Sequence, residues 1–118
     1  MKIEEVVSAL QGHIGKDKIE LVSRNKYFVD SGLMLLSNAE SLPIYIVEID
    51  DKCYFADYGE TCESLNLSEK NKRYNDLVSE CGIWGIDLNN GRLSVEIEDD
   101  PYVDYNKFVL CQMIIQSR

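Results

Sequence analysis

The residues of this chain that could take part in chemistry are mainly carboxylates, because its 118 residues include 21 Asp and Glu but only one His. Asp50-Asp51-Lys52, with Asp30 upstream, has the Asp-x-Lys spacing of nucleases in which carboxylates hold Mg²⁺ and the lysine assists the attacking water. Asp50 and Asp51, however, separate two apolar runs, and a hairpin turn at this point accounts for charged residues. The net charge of −9 also argues against a surface that holds DNA. We therefore predict no catalytic site at this motif.

No other pattern in the sequence matches a catalytic, cofactor or metal site. The four Cys residues lie 9, 19 and 30 positions apart, so no Cys-x-x-Cys pair occurs, and we expect buried thiols in a reducing compartment. Phosphate-binding loops, dinucleotide fingerprints and nucleophile elbows are absent. Asp57, Glu60 and Glu63 lack the ligand spacing of a calcium loop. We predict a protein that is not an enzyme and that has no catalytic residues, no metal and no cofactor.

The acidic residues are distributed unevenly along the chain. Residues 1–39 carry five basic and five acidic residues, whereas residues 40–118 carry seven basic and sixteen acidic ones. Such a protein should not bind nucleic acid directly, and we expect its partner to be a basic protein surface. Acids concentrated on one face could imitate nucleic-acid phosphates, whereas scattered acids would only keep the protein soluble. The predicted partner-binding carboxylates are Asp57, Glu60, Glu63, Asp87, Glu96, Glu98, Asp99 and Asp100.

Two hairpins are predicted to position these carboxylates. The run Leu42–Ala56 alternates around Asp50-Asp51, and both faces of its first strand are apolar, so that strand should be internal to a sheet. Trp84–Ile97 surrounds the turn pair Asn90-Gly91, which favours a two-residue hairpin. The predicted pairs across this turn are Asn89 with Arg92, Leu88 with Leu93, Ile86 with Val95, and Trp84 with Ile97. Two shorter strands are expected over residues 18–25 and 26–30, followed by a turn at Ser31-Gly32.

Three helices complete the predicted elements. Apolar residues at helical spacing predict a helix over 3–14 that ends at Gly15. A second helix should begin after Ser68 and end at Gly82, with a buried stripe of Tyr74, Leu77, Val78 and Cys81. The last helix, with Asp104 as its expected N-cap, is apolar on more than one side. It should therefore be buried on two sides, or form a homodimer interface with its outer side.

The run Tyr54–Thr61, followed by Leu65, a helix ending at Gly82 and an Asn-Gly hairpin, resembles an uncharacterised phage and bacterial domain family. In that family a strand ending in Tyr-x-x-Asp-x-Gly-x-Thr leads into a short leucine-bearing helix. The likeness covers residues 30–118 and departs at Ala56, where the family usually has a small hydroxyl residue. The resemblance implies a phage or prophage origin and no established catalytic residues. The Asp-x-Gly-x-Thr part is itself explained by a turn and a helix cap.

These observations predict a single α+β domain over residues 1–118, with a mainly antiparallel sheet of about five or six strands packed with three helices. No apolar run reaches the length of a membrane span and no signal-peptide core is present, so we expect a protein of the bacterial host cytoplasm. The predicted function is non-catalytic binding of a macromolecule, specifically inhibition of a bacterial defence nuclease by a phage-encoded, anti-CRISPR-like protein. Two alternative functions are an oligomerisation module that uses the last helix and a metal-dependent enzyme.

Overall fold

The computed structural model describes residues 2–34, 41–63 and 72–116 of the chain. These segments form four helices, α1 (Ile3–Ile14), α2 (Glu60–Glu63), α3 (Lys72–Ile83) and α4 (Pro101–Gln116), and a 3₁₀ turn at Lys16–Lys18. The strands are β1 (Ile19–Ser23), β2 (Lys26–Met34), β3 (Ser41–Ile49), β4 (Lys52–Ala56), β5 (Asp87–Asn89) and β6 (Arg92–Glu96). The predicted α+β class is confirmed. The predicted helix cap Ser68 and the motif residue Leu65 lie outside the described residues.

The six strands form one antiparallel sheet in the order β1-β2-β3-β4-β6-β5. β3 lies between β2 and β4, which confirms that the first strand of the central hairpin is internal. Its turn places Asp50 and Asp51 at φ 51° and 65°, the left-handed conformations that a two-residue type I′ turn requires. Asn90 and Gly91 adopt the same conformation, at φ 53° and 75°. Both predicted turns are therefore confirmed.

The helices pack on one face of this sheet and enclose the core. Val6 of α1, Leu77 of α3 and Phe108 of α4 are buried in one cluster with Ile46 and Phe55 of the central strands. The ring centroids of Phe55 and Phe108 lie 6.1 Å apart. Removing side chains of this size from water contributes about 1.5–3 kcal/mol each. The apolar residues that recur at helical spacing in the sequence therefore face the core between the helices and the sheet.

The opposite face of the sheet has a separate cluster of aromatic and basic side chains. Phe28 of β2 and Tyr45 of β3 meet edge to face with ring centroids 5.6 Å apart, and Tyr45 and Tyr58 are related in the same way at 5.1 Å. The Lys26 ammonium lies 4.5 Å from the Tyr45 centroid and 4.1 Å from that of Tyr58, within cation–π range. None of these four residues belongs to the helix-packed core.

The end of α3 differs from the prediction. The helix passes through Gly82 to Ile83, and the glycine that adopts the left-handed conformation is Gly85, at φ 76°. The N–H of Ile86 donates to the carbonyl of Cys81, and that of Gly85 to the carbonyl of Gly82, both at 3.0 Å. These two bonds form a Schellman motif. The prediction that Gly82 caps the helix is wrong because the left-handed position falls three residues later.

The second hairpin is shorter than predicted as a consequence. Its predicted pairs of Leu88 with Leu93 and of Asn89 with Arg92 are confirmed, but β5 begins only at Asp87. Trp84, which was predicted to pair with Ile97, belongs instead to the turn that closes α3. Its side chain is 42% exposed. Val78, predicted to be buried on α3, is also more than a third exposed, at 36%.

β2 continues through the predicted turn at Ser31-Gly32 as far as Met34. Gly32 adopts φ 80° and donates its N–H to Oδ1 of Asp30 at 3.0 Å. The register between β2 and β3 shifts between Asp30 and Met34. The glycine therefore marks a bulge within a longer strand rather than the end of a short one.

α4 begins four residues earlier than predicted, at Pro101. Oδ1 of Asp100 accepts the N–H of Tyr102 at 3.0 Å, and Pro101 takes the first helical position, where an N–H has no partner to lose. Asp100 is therefore the N-cap, and the prediction that Asp104 caps the helix is wrong. The Asp-Pro pair was the signal in the sequence.

The other end of α4 is held by buried amides. Gln112 is fully buried, and its Nε2 donates to the carbonyl of Pro43 at 3.0 Å and to Oγ1 of Thr61 at 3.2 Å. Gln112 lies on the same face of α4 as Phe108 and Ile115, so its contacts add polar bonds to the core-facing side and do not show the predicted burial on two sides. Met113 remains 48% exposed.

All four cysteines are buried and none forms a disulfide, which confirms their predicted role as small core side chains. Burial raises the pKa of Cys62 to about 12, and the nearby Asp57 carboxylate and Cys81 act in the same direction. Cys81 of α3 forms a hydrogen bond with Cys111 of α4. This hydrogen bond and burial both raise the pKa of Cys81. Neither thiol is activated for nucleophilic chemistry.

We predict that a disulfide reagent such as Ellman's reagent leaves the native thiols unmodified and modifies all four after denaturation. With a pKa of about 12, the Cys62 thiolate fraction near neutral pH is lower than that of an ordinary thiol by about 10³-fold. Absorbance at the wavelength of the released thiolate measures the reaction. Rapid modification of one thiol under native conditions would contradict the burial.

Candidate functional site

The polar corner after β4 is organised by the carboxylate of Asp57, which is 0% exposed. Its Oδ1 accepts the N–H of Gly59 at 2.8 Å and the N–H of Leu93 at 2.9 Å, and its Oδ2 accepts the N–H of Thr61 at 3.2 Å. The bond to Gly59 confirms the predicted turn. Thr61 was expected to cap the short helix, but it is the second residue of α2 and donates its N–H to Asp57, which therefore supplies the acceptor at the start of this helix. The bond to Leu93 ties this corner to β6, 36 residues away.

Asp57 must therefore be removed from the predicted partner-binding residues. Three backbone N–H groups occupy its oxygens, and the side chain presents no surface to a partner. A carboxylate this deep is retained because hydrogen bonds replace the water it has lost. The sequence prediction failed because net charge does not distinguish a structural acid from an exposed one.

Glu60 and Glu63 belong to the same corner. Glu60 is exposed at the start of α2. Its negative charge adds to burial in raising the pKa of Tyr45, which places Glu60 near the aromatic face of the sheet. The side chain of Glu63 lies outside the described residues. Glu60 does not line the groove that holds the other predicted acids.

The other five predicted carboxylates line a single groove, which we call the acidic groove. It has a volume of about 410 Å³ and lies between β6, residues 97–100 and the first turns of α4. Asp104 adds a sixth carboxylate, and Lys107 is the basic residue among those that line it. The predicted residues brought together here are Asp87, Glu96, Glu98, Asp99 and Asp100.

Most charges of the acidic groove are available to a partner. Asp87, Glu98 and Asp99 are exposed. Glu96 forms an ion pair with Lys52 of β4 at 3.6 Å, and the Lys52 side chain is 59% exposed. An exposed pair of this kind contributes about 1 kcal/mol or less, so a competing cation can replace Lys52.

The pKa of Asp104 is affected by the neighbouring charges of the groove. Partial burial raises its pKa above the ordinary value, and the negative charges of Asp100 and Asp99 raise the pKa further. A hydrogen bond from the Glu98 backbone and the charge of Lys107 act in the opposite direction. The acids therefore interact with one another, and a cation that enters the groove would relieve their repulsion.

Two apolar side chains at the acidic groove were missed by the sequence analysis. Trp84 and Val103 both line it, and they are 42% and 46% exposed. Trp84 was assigned to the buried face of the hairpin, although Gly85 directly after it could have indicated a turn. Exposed apolar residues beside charged ones are common where proteins bind each other.

The acids of the groove do not converge on one point. Within residues 2–34, 41–63 and 72–116, no three His, Cys, Asp or Glu side chains are grouped so that they could hold a metal ion. The arrangement is suited to an extended cationic surface rather than to a single ion.

In the described segments, no helix has the length and apolarity to cross a lipid bilayer.

We predict that Asp57→Ala lowers the free energy of unfolding by about 3–5 kcal/mol, because it leaves two buried N–H groups and one partly buried N–H group without an acceptor. Urea denaturation measures the change. The matched control is Asp87→Ala, which removes an exposed carboxylate and should change the free energy of unfolding by about 0.5 kcal/mol or less. Equal effects of the two substitutions would contradict the role of Asp57.

A second prediction concerns the pKa of Asp104. The folded-state pKa lies above the unfolded value, so the ionised carboxylate lowers stability at neutral pH, and this cost disappears as the pH falls through the folded pKa. Asp99→Asn should lower the pKa of Asp104, as measured by carbon-13 NMR titration of the carboxyl groups. Glu20→Gln, a change on β1, should leave it unchanged. A pKa insensitive to Asp99 would contradict an electrostatic interaction between Asp99 and Asp104.

No protein-family model matches this chain, and no curated protein and no solved structure matches it. The resemblance carried by Tyr54–Thr61 stays a prediction. The function is therefore argued from the geometry of the acidic groove.

Proposed function

We propose that this protein binds a basic surface of another macromolecule through the acidic groove and does so without catalysis. The observation that carries the proposal is that five separately predicted carboxylates, together with Asp104, line one concave surface. They come from three segments of the chain, namely β5, the end of β6 with residues 97–100, and α4. A purely solubilising role does not require carboxylates from three segments to line one concave surface.

The charge of the groove is large enough to compete for a nucleic-acid site. Six carboxylates against one lysine leave five excess negative charges, the charge of about 9 Å of duplex DNA. Neighbouring exposed acids at Glu98, Asp99 and Asp100 follow one another along the chain, as phosphates do. A partner groove that is built to hold phosphates would be complementary to this surface.

Trp84 and Val103 give the groove a means of specificity. Charge alone attracts any basic surface, whereas apolar side chains that leave water on binding distinguish one surface from another. The face of an exposed indole also binds arginine and lysine by cation–π attraction. We therefore expect the partner to insert an arginine or lysine between Trp84 and the carboxylates.

The most specific form of the proposal is a phage-encoded inhibitor of a bacterial defence nuclease, of the anti-CRISPR kind, that acts in the host cytoplasm. Its support is the acidic groove, which resembles a short stretch of nucleic-acid backbone in charge. The family resemblance of the Tyr54–Thr61 motif implies a phage or prophage origin and agrees with it. A nuclease whose DNA channel is basic is the partner that this charge favours.

The oligomerisation alternative has less support from the geometry. Phe108, Cys111 and Ile115 of α4 are all used in the core, and Met113 is the large apolar side chain of its last turns that is clearly exposed. A homodimer through α4 therefore stays a prediction, which light scattering after size exclusion would test.

The test is competition with labelled duplex DNA for a panel of bacterial defence nucleases, measured by fluorescence anisotropy at low and high salt. We expect the protein to displace DNA from one or more of them. Neutralising the groove with Asp87→Asn, Glu96→Gln, Glu98→Gln and Asp99→Asn should weaken displacement by about 10-fold or more, because charge pairs at a desolvated interface contribute several kcal/mol.

The matched control removes four exposed charges elsewhere, through Glu4→Gln, Asp17→Asn, Glu20→Gln and Asp76→Asn. This variant has the same net charge as the groove variant, so it should keep its activity if the groove is the binding site. Equal losses in the two variants, or displacement that does not depend on salt, would contradict the proposal.

A further inference from the structure

The aromatic face of the sheet contains a second concave surface, which we call the trough. It has a volume of about 580 Å³ and lies over β3, β4 and β6, next to the turn at Asn90. Val47, Ala56 and Ile49 supply apolar surface to it, and Tyr58 lies at its side. Small-molecule sites in proteins commonly have volumes of about 300–1,000 Å³ and an apolar lining with few polar groups.

The polar groups of the trough are cationic or neutral. Arg92 lines it together with Asn89, Asn90 and Ser94, and none of the described residues that line it is acidic. This composition is unexpected in a protein of net charge −9. The trough therefore offers one guanidinium, two amides and a hydroxyl to a ligand, with no carboxylate among its lining residues to repel an anion.

The backbone next to Tyr58 and Arg92 is held in place by hydrogen bonds to Asp57. The Asp57 carboxylate accepts the N–H groups of Gly59 and Leu93, the chain neighbours of Tyr58 and Arg92. A Cβ placed on Gly59 would lie 3.4 Å from Cγ of Arg92, so the Arg92 side chain passes close to the turn that carries Tyr58. The backbone on both sides of the trough is therefore fixed before any ligand arrives.

The same corner is fixed from the other side. The Tyr74 hydroxyl accepts the N–H of Gly91 at 2.9 Å, which anchors the turn that carries Asn90. Lys26 packs on the Tyr58 ring at 4.1 Å and adds positive charge at this side. Tyr58 is nonetheless 43% exposed, so part of its ring remains available to a ligand.

We infer that the trough binds a small ligand made of a planar ring and one anionic group. The ring would lie on the apolar surface beside Tyr58, where it is removed from water. The anion would pair with Arg92, whose planar guanidinium can donate two parallel hydrogen bonds to a phosphate or a carboxylate. This site is independent of the acidic groove and of its partner.

The chemistry admits two sources of the ligand, a nucleoside monophosphate or an aromatic carboxylate. Asn89 and Asn90 could bind the edge of a base through their amides, which both donate and accept hydrogen bonds. An aromatic carboxylate would use Arg92 and Tyr58 without needing those amides. The two sources are therefore distinguished by their dependence on the asparagines.

The experiment is a titration of the isotope-labelled protein with AMP, UMP and indole-3-acetate, followed by amide chemical shifts. We expect at least one probe to bind with a dissociation constant of about 1 mM or lower, with shifts around the trough. Arg92→Met should weaken binding by about 10-fold or more because it removes the charged donor. Tyr58→Leu should also weaken it.

Matched controls are Arg24→Met, which removes an exposed cation at the β1–β2 turn, and Tyr54→Leu, which alters a tyrosine outside the trough. Both should bind as the natural sequence does. Binding of a monophosphate that is weakened by Asn89→Ala assigns the nucleotide source, and binding of indole-3-acetate alone assigns the carboxylate source. Absence of binding by all three probes, or binding unaffected by Arg92→Met, would overturn the inference.

Discussion

The burial of one carboxylate determines how the two concave surfaces of this protein, the acidic groove and the trough, are built. Moving an ionised carboxylate out of water costs several kcal/mol unless hydrogen bonds replace the lost hydration. Asp57 meets this requirement with backbone N–H groups from its own turn, from the start of α2 and from β6. Each segment must keep its position, because displacement of any one would deprive the buried charge of a donor and leave an amide without its acceptor.

This constraint acts through β6, the strand that carries residues of both surfaces. Arg92 at its beginning lines the trough, and Glu96 at its end lines the acidic groove. The strand is fixed to the polar corner at Leu93, between these two residues. Two surfaces of opposite electrostatic character are thus built on one strand of five residues. Arg92 and Glu96 are four residues apart and point to the same face of the sheet, so the two surfaces are separated by distance along the strand rather than by separate domains.

Local pattern was sufficient for much of the fold. Apolar alternation, turn chemistry and helical spacing act over a few residues and can be read from the sequence. They predicted the turns at Asp50-Asp51 and Asn90-Gly91, the pairing of Leu88 with Leu93, and the end of α1 at Gly15. The prediction was less accurate where two local signals competed. Gly82 and Gly85 both could end α3, and only packing decides between them.

The composition of the candidate site was predicted better than its boundaries. Consecutive acids in a polar segment are exposed in most proteins, and Glu98, Asp99 and Asp100 are exposed in this one. Asp57 was misassigned because its third donor, the N–H of Leu93, comes from a strand 36 residues away. The place of Asp104 in the acidic groove and the entire trough depend on the same kind of long-range contact. No pattern within a short window contains that information.

Hydrogen exchange of the amides of Gly59, Thr61 and Leu93, followed by NMR under native conditions, tests the central role of Asp57 most directly. If one buried carboxylate holds the three segments together, these amides should exchange with the same free energy of opening, close to that of global unfolding. Exchange of Gly59 and Thr61 by local opening, while Leu93 stays protected, would show that the three segments are not held as one unit. That result would contradict a shared anchor for the acidic groove and the trough.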